Sequence, residues 1–274
     1  MISRQDLQHI TKLSVPQTQD YLAEHPDFLL ALINELGNPD PSIRDELVYQ
    51  LFTTWLTTNT LSASQLHDIT TALRATLATR DNEDSVFARS YAALLLADLL
   101  GLDAKQSFLQ DKCAKQTILH IASFLMYETD TRNFIADKGW ANAIPFGADA
   151  TLAAIHHPQF DVRATPQILY GIKHSVKLDT VFTQDEDERF ATIIEALALK
   201  DTPEPLLIEW TTQLFEQLNM SLMSQGYSER FFKQRTNTLQ LAKTLYFYLK
   251  VRRVTPQLQE TLYQFITQWH RLNA

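Results

Sequence analysis

Apolar residues recur at helical spacing along almost the whole chain, and this periodicity restricts the fold more than any other feature of the sequence. Segments such as SIRDELVYQLFTTWL, which starts at Ser42, keep an aliphatic or aromatic residue on one helical face. Runs that alternate apolar and polar residues, as a half-buried strand requires, are hard to find. The sequence therefore predicts an all-α protein with no sheet beyond an incidental pair of residues.

Proline and clusters of Asp and Asn mark most of the predicted helix boundaries. Pro26 begins a helix that Gly37 closes, and Ser62 caps the helix SQLHDITTALRATL. The acidic run before Ser85 suits the positive end of a helix dipole. Further helices are predicted over Ser85–Leu100, Lys105–Tyr127, Ile144–His156, Pro166–Val176, Asp185–Leu199, Pro205–Met223, Ser228–Val251 and Pro256–Leu272.

Two segments about 44 residues apart share a pattern that suggests an internal repeat. DPSIRDELVYQLFTTWL starts at Asp40, DSVFARSYAALLLADLL starts at Asp84, and FDVRATPQILYGI from Phe160 is a weaker copy. Such a period is typical of HEAT and armadillo units, whose helical pairs bury their apolar faces by stacking. We therefore predict a superhelix of stacked helical hairpins, with a closed multi-helix bundle as the alternative. Residues 1–274 are predicted to form a single domain. Residues 177–185 are the place where a weak domain boundary could lie.

Charge and cysteine content restrict the class of protein. The net charge of -8 argues against a nucleic-acid partner, which normally requires a concentrated positive surface. Apolar runs such as Tyr91–Leu102 are shorter than the roughly 20 residues that a bilayer requires. The charged opening MISRQDLQHITKL does not resemble a signal peptide, and the lone Cys113 cannot form an intrachain disulfide. We expect a cytoplasmic protein that binds neither nucleic acid nor membrane.

No reaction motif stands out in the sequence. It contains no Gly-rich phosphate loop, no paired-cysteine metal motif and no G-x-S-x-G. The sequence therefore predicts no cofactor, no metal site and no catalytic residue.

The stretch GWANAIPFGADATLAAIHHP, from Gly139 to Pro158, is the most unusual part of the chain, since it holds two of the six glycines. Asp149 and His156 are seven residues apart, so both lie on one face of the predicted helix, where one bridging ligand could touch both. Asp149 stands among alanines and therefore needs a partner, which Arg89 in the apolar helix could supply. The pair is either a structural bridge or part of a site that holds a small polar ligand near Trp140.

The same stretch also has a purely structural interpretation. Pro158 enforces the end of the helix, and a histidine such as His156 or His157 is favourable beside the last exposed carbonyls. Gly147 and the surrounding alanines would allow a second helix or a bulky side chain to approach closely, and Trp140 is the obvious candidate.

Three segments in this order resemble the DUF2785 family of bacterial proteins: DSVFARSYAALLLADLL, DKGWANAIPFGADATLAAIHHP and LAKTLYFYLK. The family pattern has a histidine two residues after the Trp and then His-x-Ala-Asp. Asn142 and Phe146 stand at those two histidine positions in this chain. The resemblance implies the family's fold, and it implies that any metal binding or proton transfer by those histidines is absent here. The positions that match the pattern are Gly139, Trp140, Ala148, Asp149, His157 and Pro158.

Without a reaction motif, the sequence favours a non-enzymatic helical-repeat module that binds a protein partner or a small polar ligand. The alternative is an enzyme, for example a hydrolase, or a small-ligand sensor with a pocket around Trp140, Asp149 and Arg89. A deep polar pocket that contains those side chains would favour the alternative. An open groove with exposed aromatic residues elsewhere would favour the binding module.

Overall fold

The computed structural model describes residues 2–272, and helices account for nearly all of their regular structure. The exception is a strand pair in which Phe134–Ile135 (β1) runs antiparallel to Gly139–Trp140 (β2). The all-α prediction is therefore confirmed. The chain separates into two compact units, one formed by Met1–Ile121 with Arg132–Phe160 and the other by Ala122–Thr131 with Asp161–Ala274. The stacked-hairpin arrangement and the single domain stay predictions.

The first unit is built around one long helix. Two early helices were not predicted, although Ser14 and Gln17 form a capping box that marks the second of them. A 3₁₀ turn at Glu35–Gly37 and a π-helical segment at Arg44–Tyr49 interrupt the α-helices. The helices are α1 (Arg4–Ile10), α2 (Val15–Glu24), α3 (Phe28–Asn34), α4 (Pro41–Ile43), α5 (Gln50–Thr57), α6 (Ala63–Thr76), α7 (Ser85–Gln106), the first part of α8 (Asp111–Tyr127), and α9 (Ala143–His156).

Helix α7 forms the centre of the first unit. It packs most extensively against α9 and also contacts α5 and α6, so apolar residues on several of its faces are covered. Phe87, Leu95, Leu96 and Leu99 have no exposed surface. By length and composition alone α7 resembles a membrane span, but 67% of its apolar window is buried in the fold, as in the core helix of a soluble protein.

The boundary between α7 and α8 differs from the prediction. The second helix was expected to begin at Lys105, but α7 continues through that residue and α8 begins only at Asp111. Ser107 adopts a left-handed conformation with φ of 53°, which ends α7. The Asp103 carboxylate then accepts a 2.7 Å hydrogen bond from the Leu109 amide and holds the loop. Neither Gly nor Pro marks this break, so the sequence pattern could not place it.

The two acids that open the repeated segments occupy N-cap positions with different roles. Asp40 accepts a hydrogen bond from the Ser42 amide and caps α4. Asp84 precedes α7 but makes no side-chain cap, because Asn82 accepts from the Ser85 amide instead. Both acids lie at helix entrances, and their equivalence within a repeat stays a prediction.

The second unit is organised around its longest helix, α13, which contacts four neighbouring helices. Its core includes Ile194, Leu197, Phe215 and Phe231, none of which is exposed. After a 3₁₀ turn at Val162–Ala164, the helices are α10 (Thr165–Val176), α11 (Glu186–Leu199), α12 (Glu204–Gln225), α13 (Glu229–Arg252) and α14 (Pro256–Leu272), together with the last residues of α8.

The loop between α10 and α11 lies within the second unit and is fixed by buried amides of α13. Asn237 has no exposed surface; its Oδ1 accepts from the Phe182 amide at 3.0 Å and its Nδ2 donates to the Thr180 carbonyl at 2.9 Å. Gln234 donates to the Lys177 carbonyl at 2.9 Å. These bonds satisfy backbone groups that a buried loop would otherwise leave unpaired.

We predict that Asn237→Ala destabilises the protein by about 2–4 kcal/mol, because one buried donor and one buried acceptor lose their partner. Urea unfolding followed by circular dichroism measures this loss. The neighbouring exposed Thr236 provides the control, and Thr236→Ala should stay within about 0.5 kcal/mol of wild type. Equal stability of the two variants would contradict the role assigned to Asn237.

Candidate functional site

Two of the four predicted site residues, Trp140 and His156, lie at the surface. Trp140 is 39% exposed, and its ring meets the edge of Phe134 at a centroid distance of 5.1 Å. His156 is exposed at the end of α9. Within residues 2–272 neither side chain makes a hydrogen bond, ion pair or ring contact with another predicted site residue.

Trp140 does not fill the gap beside the small residues of α9. Ala148, Ala150 and Ala154 are buried, and the element that packs most extensively on their helix is α7. Gly147 and these alanines were expected to allow either a second helix or a bulky side chain to approach. The structure places helix α7 there, and not the Trp140 ring. The reason is positional, because Trp140 belongs to the strand pair and its indole points to Phe134.

The other two predicted site residues are more enclosed. Arg89 is buried, and its Nη1 donates to the Thr79 carbonyl at 2.9 Å. Asp149 is half-buried on α9, near Tyr49. Burial, followed by the charge of Asp98 and more weakly that of Asp149, raises the pKa of the Tyr49 hydroxyl. The pairing of Arg89 with Asp149 stays a prediction.

The buried histidine of the HHP sequence is His157, which was not among the predicted site residues. Its Nε2 lies 2.9 Å from Asp103 Oδ2, and its Nδ1 accepts a hydrogen bond from the Gln159 amide at 3.1 Å. The proton therefore resides on Nε2, which donates to the carboxylate. Both ring nitrogens are occupied, so this histidine can neither bind a metal nor accept a substrate proton in this arrangement.

The most constrained polar residue of the first unit is Arg44, which is fully buried. Its Nε and Nη2 form a bidentate pair with the Asp45 carboxylate at 2.6 and 3.2 Å. Its Nη1 donates to the Asn38 carbonyl at 2.9 Å, and Nη2 also donates to the Lys138 carbonyl at 2.8 Å. Arg44 begins the π-helical segment, a distortion that often occurs at functional sites.

Two aromatic rings cover the Arg44 guanidinium. Its central carbon lies 4.2 Å from the centroid of Phe87 and 4.9 Å from that of Tyr91. Burial, together with the hydrogen bond between the Tyr91 hydroxyl and Asp45, raises the pKa of Tyr91. Arg44 was not among the predicted site residues, although, like Arg89, it is an arginine within a helical segment rich in apolar residues.

The Arg44 site explains why Gly139 precedes Trp140. Gly139 has a φ of +75°, which an L side chain rarely adopts. A Cβ at this position would lie 3.0 Å from Pro41 Cβ and 3.1 Å from Arg44 Nη2. The glycine therefore allows the strand pair to approach Arg44 closely enough for the Lys138 carbonyl to accept its hydrogen bond.

The two positions at which the family resemblance implies histidine lie near this region. Asn142 has a φ of 48° at the start of α9, and its buried Oδ1 has no hydrogen-bond partner within residues 2–272. The Phe146 ring meets the Tyr91 ring edge-on at 5.6 Å. No cluster of three or more metal-ligating side chains occurs in the described part of the chain.

The second unit exposes an apolar surface at the connection between the end of α12 and the start of α13. Its side chains, which we call the hairpin tip, are Met220, Met223, Tyr227 and Phe232. Met223 is 88% exposed, and the other three side chains are exposed as well. The rings of Tyr227 and Phe232 stack at a centroid distance of 6.0 Å. Next to the tip the two helices are joined by a hydrogen bond from Ser221 Oγ to Gln234 Oε1 at 2.8 Å.

Two arginines border the hairpin tip. Arg235 stacks over the Phe232 ring at 4.9 Å, and Arg230 is exposed on the first turn of α13. Neither arginine forms an ion pair within residues 2–272, whereas Lys233 between them pairs with Asp179 and Glu229. The tip thus combines apolar side chains with two uncompensated positive charges.

We predict that Gly139→Ala destabilises the protein by about 1–3 kcal/mol, because the new Cβ requires a strained backbone and crowds Arg44. The control is Gly101→Ala in the interior of α7, where a Cβ would meet no atom within 4 Å. This control should stabilise the protein by up to about 1 kcal/mol, since Ala is the better helix former. Equilibrium urea unfolding compares the two, and a stabilising Gly139→Ala would refute the close approach.

The adjacent residues His156 and His157 provide a second pair of variants whose stabilities can be compared. His157→Ala should cost about 1–3 kcal/mol, because Asp103 and the Gln159 amide lose their buried partner. His156→Ala should change stability by less than about 1 kcal/mol, since it removes only a favourable charge at an exposed helix end. The midpoints of thermal unfolding rank the two variants, and the reverse order would contradict this assignment.

Comparison with known proteins agrees with the resemblance seen in the sequence. A family model described as "Protein of unknown function (DUF2785)" matches residues 73–247, more than half of the chain. No curated protein and no solved structure matches the chain significantly. The matched range includes α7, the strand pair, α9 and most of α13. The chain therefore belongs to the DUF2785 family.

Proposed function

We propose that this protein is a non-enzymatic binding module that holds a protein partner at the hairpin tip. The observation that carries the proposal is the exposure of two methionines and two aromatic rings within one helical hairpin. Met and aromatic side chains are enriched at the centres of protein interfaces, and methionine adapts its shape to a partner. Met220 and Met223 are three residues apart and therefore lie on neighbouring positions of one helix face.

The charges around the hairpin tip favour an acidic partner. Arg230 and Arg235 lack ion-pair partners within residues 2–272, and a carboxylate on the partner would compensate them. A groove of about 340 Å³ continues along α13 from Arg235 to Lys243. The partner that fits is an amphipathic helix with apolar residues on one face and Asp or Glu along its edges.

Several features support binding rather than catalysis. Trp140, which the enzyme alternative places in a pocket with Asp149 and Arg89, lies at the surface. His157 has both ring nitrogens engaged in hydrogen bonds.

The buried, unpaired Cys113 and the negative net charge support placing this module in the cytoplasm without a nucleic-acid or membrane partner.

Selection of helical peptides from a displayed library against the whole protein tests the proposal. We expect enrichment of amphipathic sequences with acidic edges, because they match both the apolar side chains and the arginines of the tip. Fluorescence polarisation then measures the affinity of a selected peptide for each variant. Met223→Ser and Arg230→Glu should each raise Kd at least about tenfold, or ~1.4 kcal/mol.

Leu199→Ser is the control for this experiment, since Leu199 is an exposed apolar residue at the end of α11, outside the hairpin tip. It should leave the peptide affinity unchanged. The proposal fails if no acidic amphipathic sequence is enriched. It also fails if the selected peptides bind Met223→Ser and Arg230→Glu as tightly as wild type.

A further inference from the structure

An open cleft with a volume of about 660 Å³ lies between α5 and α7 in the first unit. Its lining combines one carboxylate, Asp98, and one ammonium group, Lys105, with hydroxyl and amide side chains. Apolar atoms of Leu56 and Leu102 complete the walls. This combination of apolar surface with two opposite charges and a few hydrogen-bonding groups is suited to a small charged molecule.

The carboxylate of Asp98 has no positive partner in this cleft. It accepts one hydrogen bond, 3.1 Å long, from the Tyr49 hydroxyl, and it forms no ion pair within residues 2–272. Although the side chain opens toward the cleft, the protein atoms packed around it raise the pKa of Asp98, and the bond from Tyr49 opposes that effect. A ligand cation would stabilise the ionised carboxylate.

Lys105 is the corresponding unpaired positive charge. It forms no ion pair in the described part of the chain, and it follows Asp98 by seven residues, almost two full turns of α7. The two residues therefore lie on the same side of the helix, with their Cα atoms about 10.5 Å apart along the axis. They are too far apart to neutralise each other directly, but both face one cleft.

Gly101 lies between these two charges on the same helical face. A glycine inside a helix is less favourable than alanine by about 1 kcal/mol, and its usual explanation is either close packing or function. No group packs closely here, since a Cβ at Gly101 would meet no protein atom within 4 Å. The glycine keeps free the space between an unpaired carboxylate and an unpaired ammonium.

We infer that this cleft binds a small zwitterion, whose ammonium group contacts Asp98 and the Tyr49 hydroxyl and whose carboxylate contacts Lys105. The chain that joins the two charges lies over Gly101. The ligand class is therefore an amino acid or a related compound whose charges are several bonds apart. This site is separate from the hairpin tip, and the two proposals rest on different residues.

Titration of the isotope-labelled full chain with 6-aminohexanoate tests the inference by NMR. We expect saturable amide shifts concentrated on Ala97–Gln106 and on α5. Hexylamine and hexanoate each carry only one of the two charges, and their Kd should be at least tenfold higher. Equal binding of all three compounds would overturn the proposal, as would the absence of saturable shifts in the millimolar range.

Three variants identify the contacts. Asp98→Asn and Lys105→Gln should each raise the Kd for 6-aminohexanoate at least tenfold, whereas the matched controls Asp68→Asn and Lys115→Gln change exposed charges outside the cleft and should leave it unchanged. Gly101→Ala should raise the melting temperature and still weaken binding at least tenfold. Unchanged affinity in Asp98→Asn, or in Gly101→Ala, would overturn the proposal.

Discussion

The buried guanidinium of Arg44 is the interaction on which the rest of the first unit depends. A charge without exposed surface is tolerated only when its donors are paired, and here the partners are Asp45 and the carbonyls of Asn38 and Lys138. Asp45 and Asn38 are close to Arg44 in sequence, whereas Lys138 is 94 residues away. The Lys138 carbonyl can reach the guanidinium only because Gly139 has no side chain.

A second buried polar group fixes the other end of the same region. Asp103 near the end of α7 binds both His157, after α9, and the Leu109 amide in the following loop. The stretch from Gly139 to Pro158 therefore begins at the Arg44 site and ends at the Asp103 site, with buried small residues of α9 between them. Its unusual composition follows from these two attachments and from the close packing of α9 on α7.

Some polar groups of this protein have their hydrogen bonds and charges satisfied within the fold, and others do not. The functional proposals rest on the second kind. At Arg44 and His157 almost every donor and acceptor is used within the fold, so little capacity for a ligand is left. Arg230 at the hairpin tip, and Asp98 in the α5–α7 cleft, lack oppositely charged partners in the described part of the chain. Groups of the first kind specify the structure, and groups of the second kind are available for recognition.

The sequence by itself determined the helical class and most helix positions, because apolar periodicity and capping act over only a few residues. It also singled out the stretch after Gly139. Tertiary structure alone decided that His157 rather than His156 is buried, that α7 ends at a left-handed Ser107, and that Arg44 is the enclosed arginine. The physical reason is distance along the chain: the Lys138 carbonyl that binds Arg44 is 94 residues away, and Asp103 is 54 residues from His157. Local patterns carry no information about such partners.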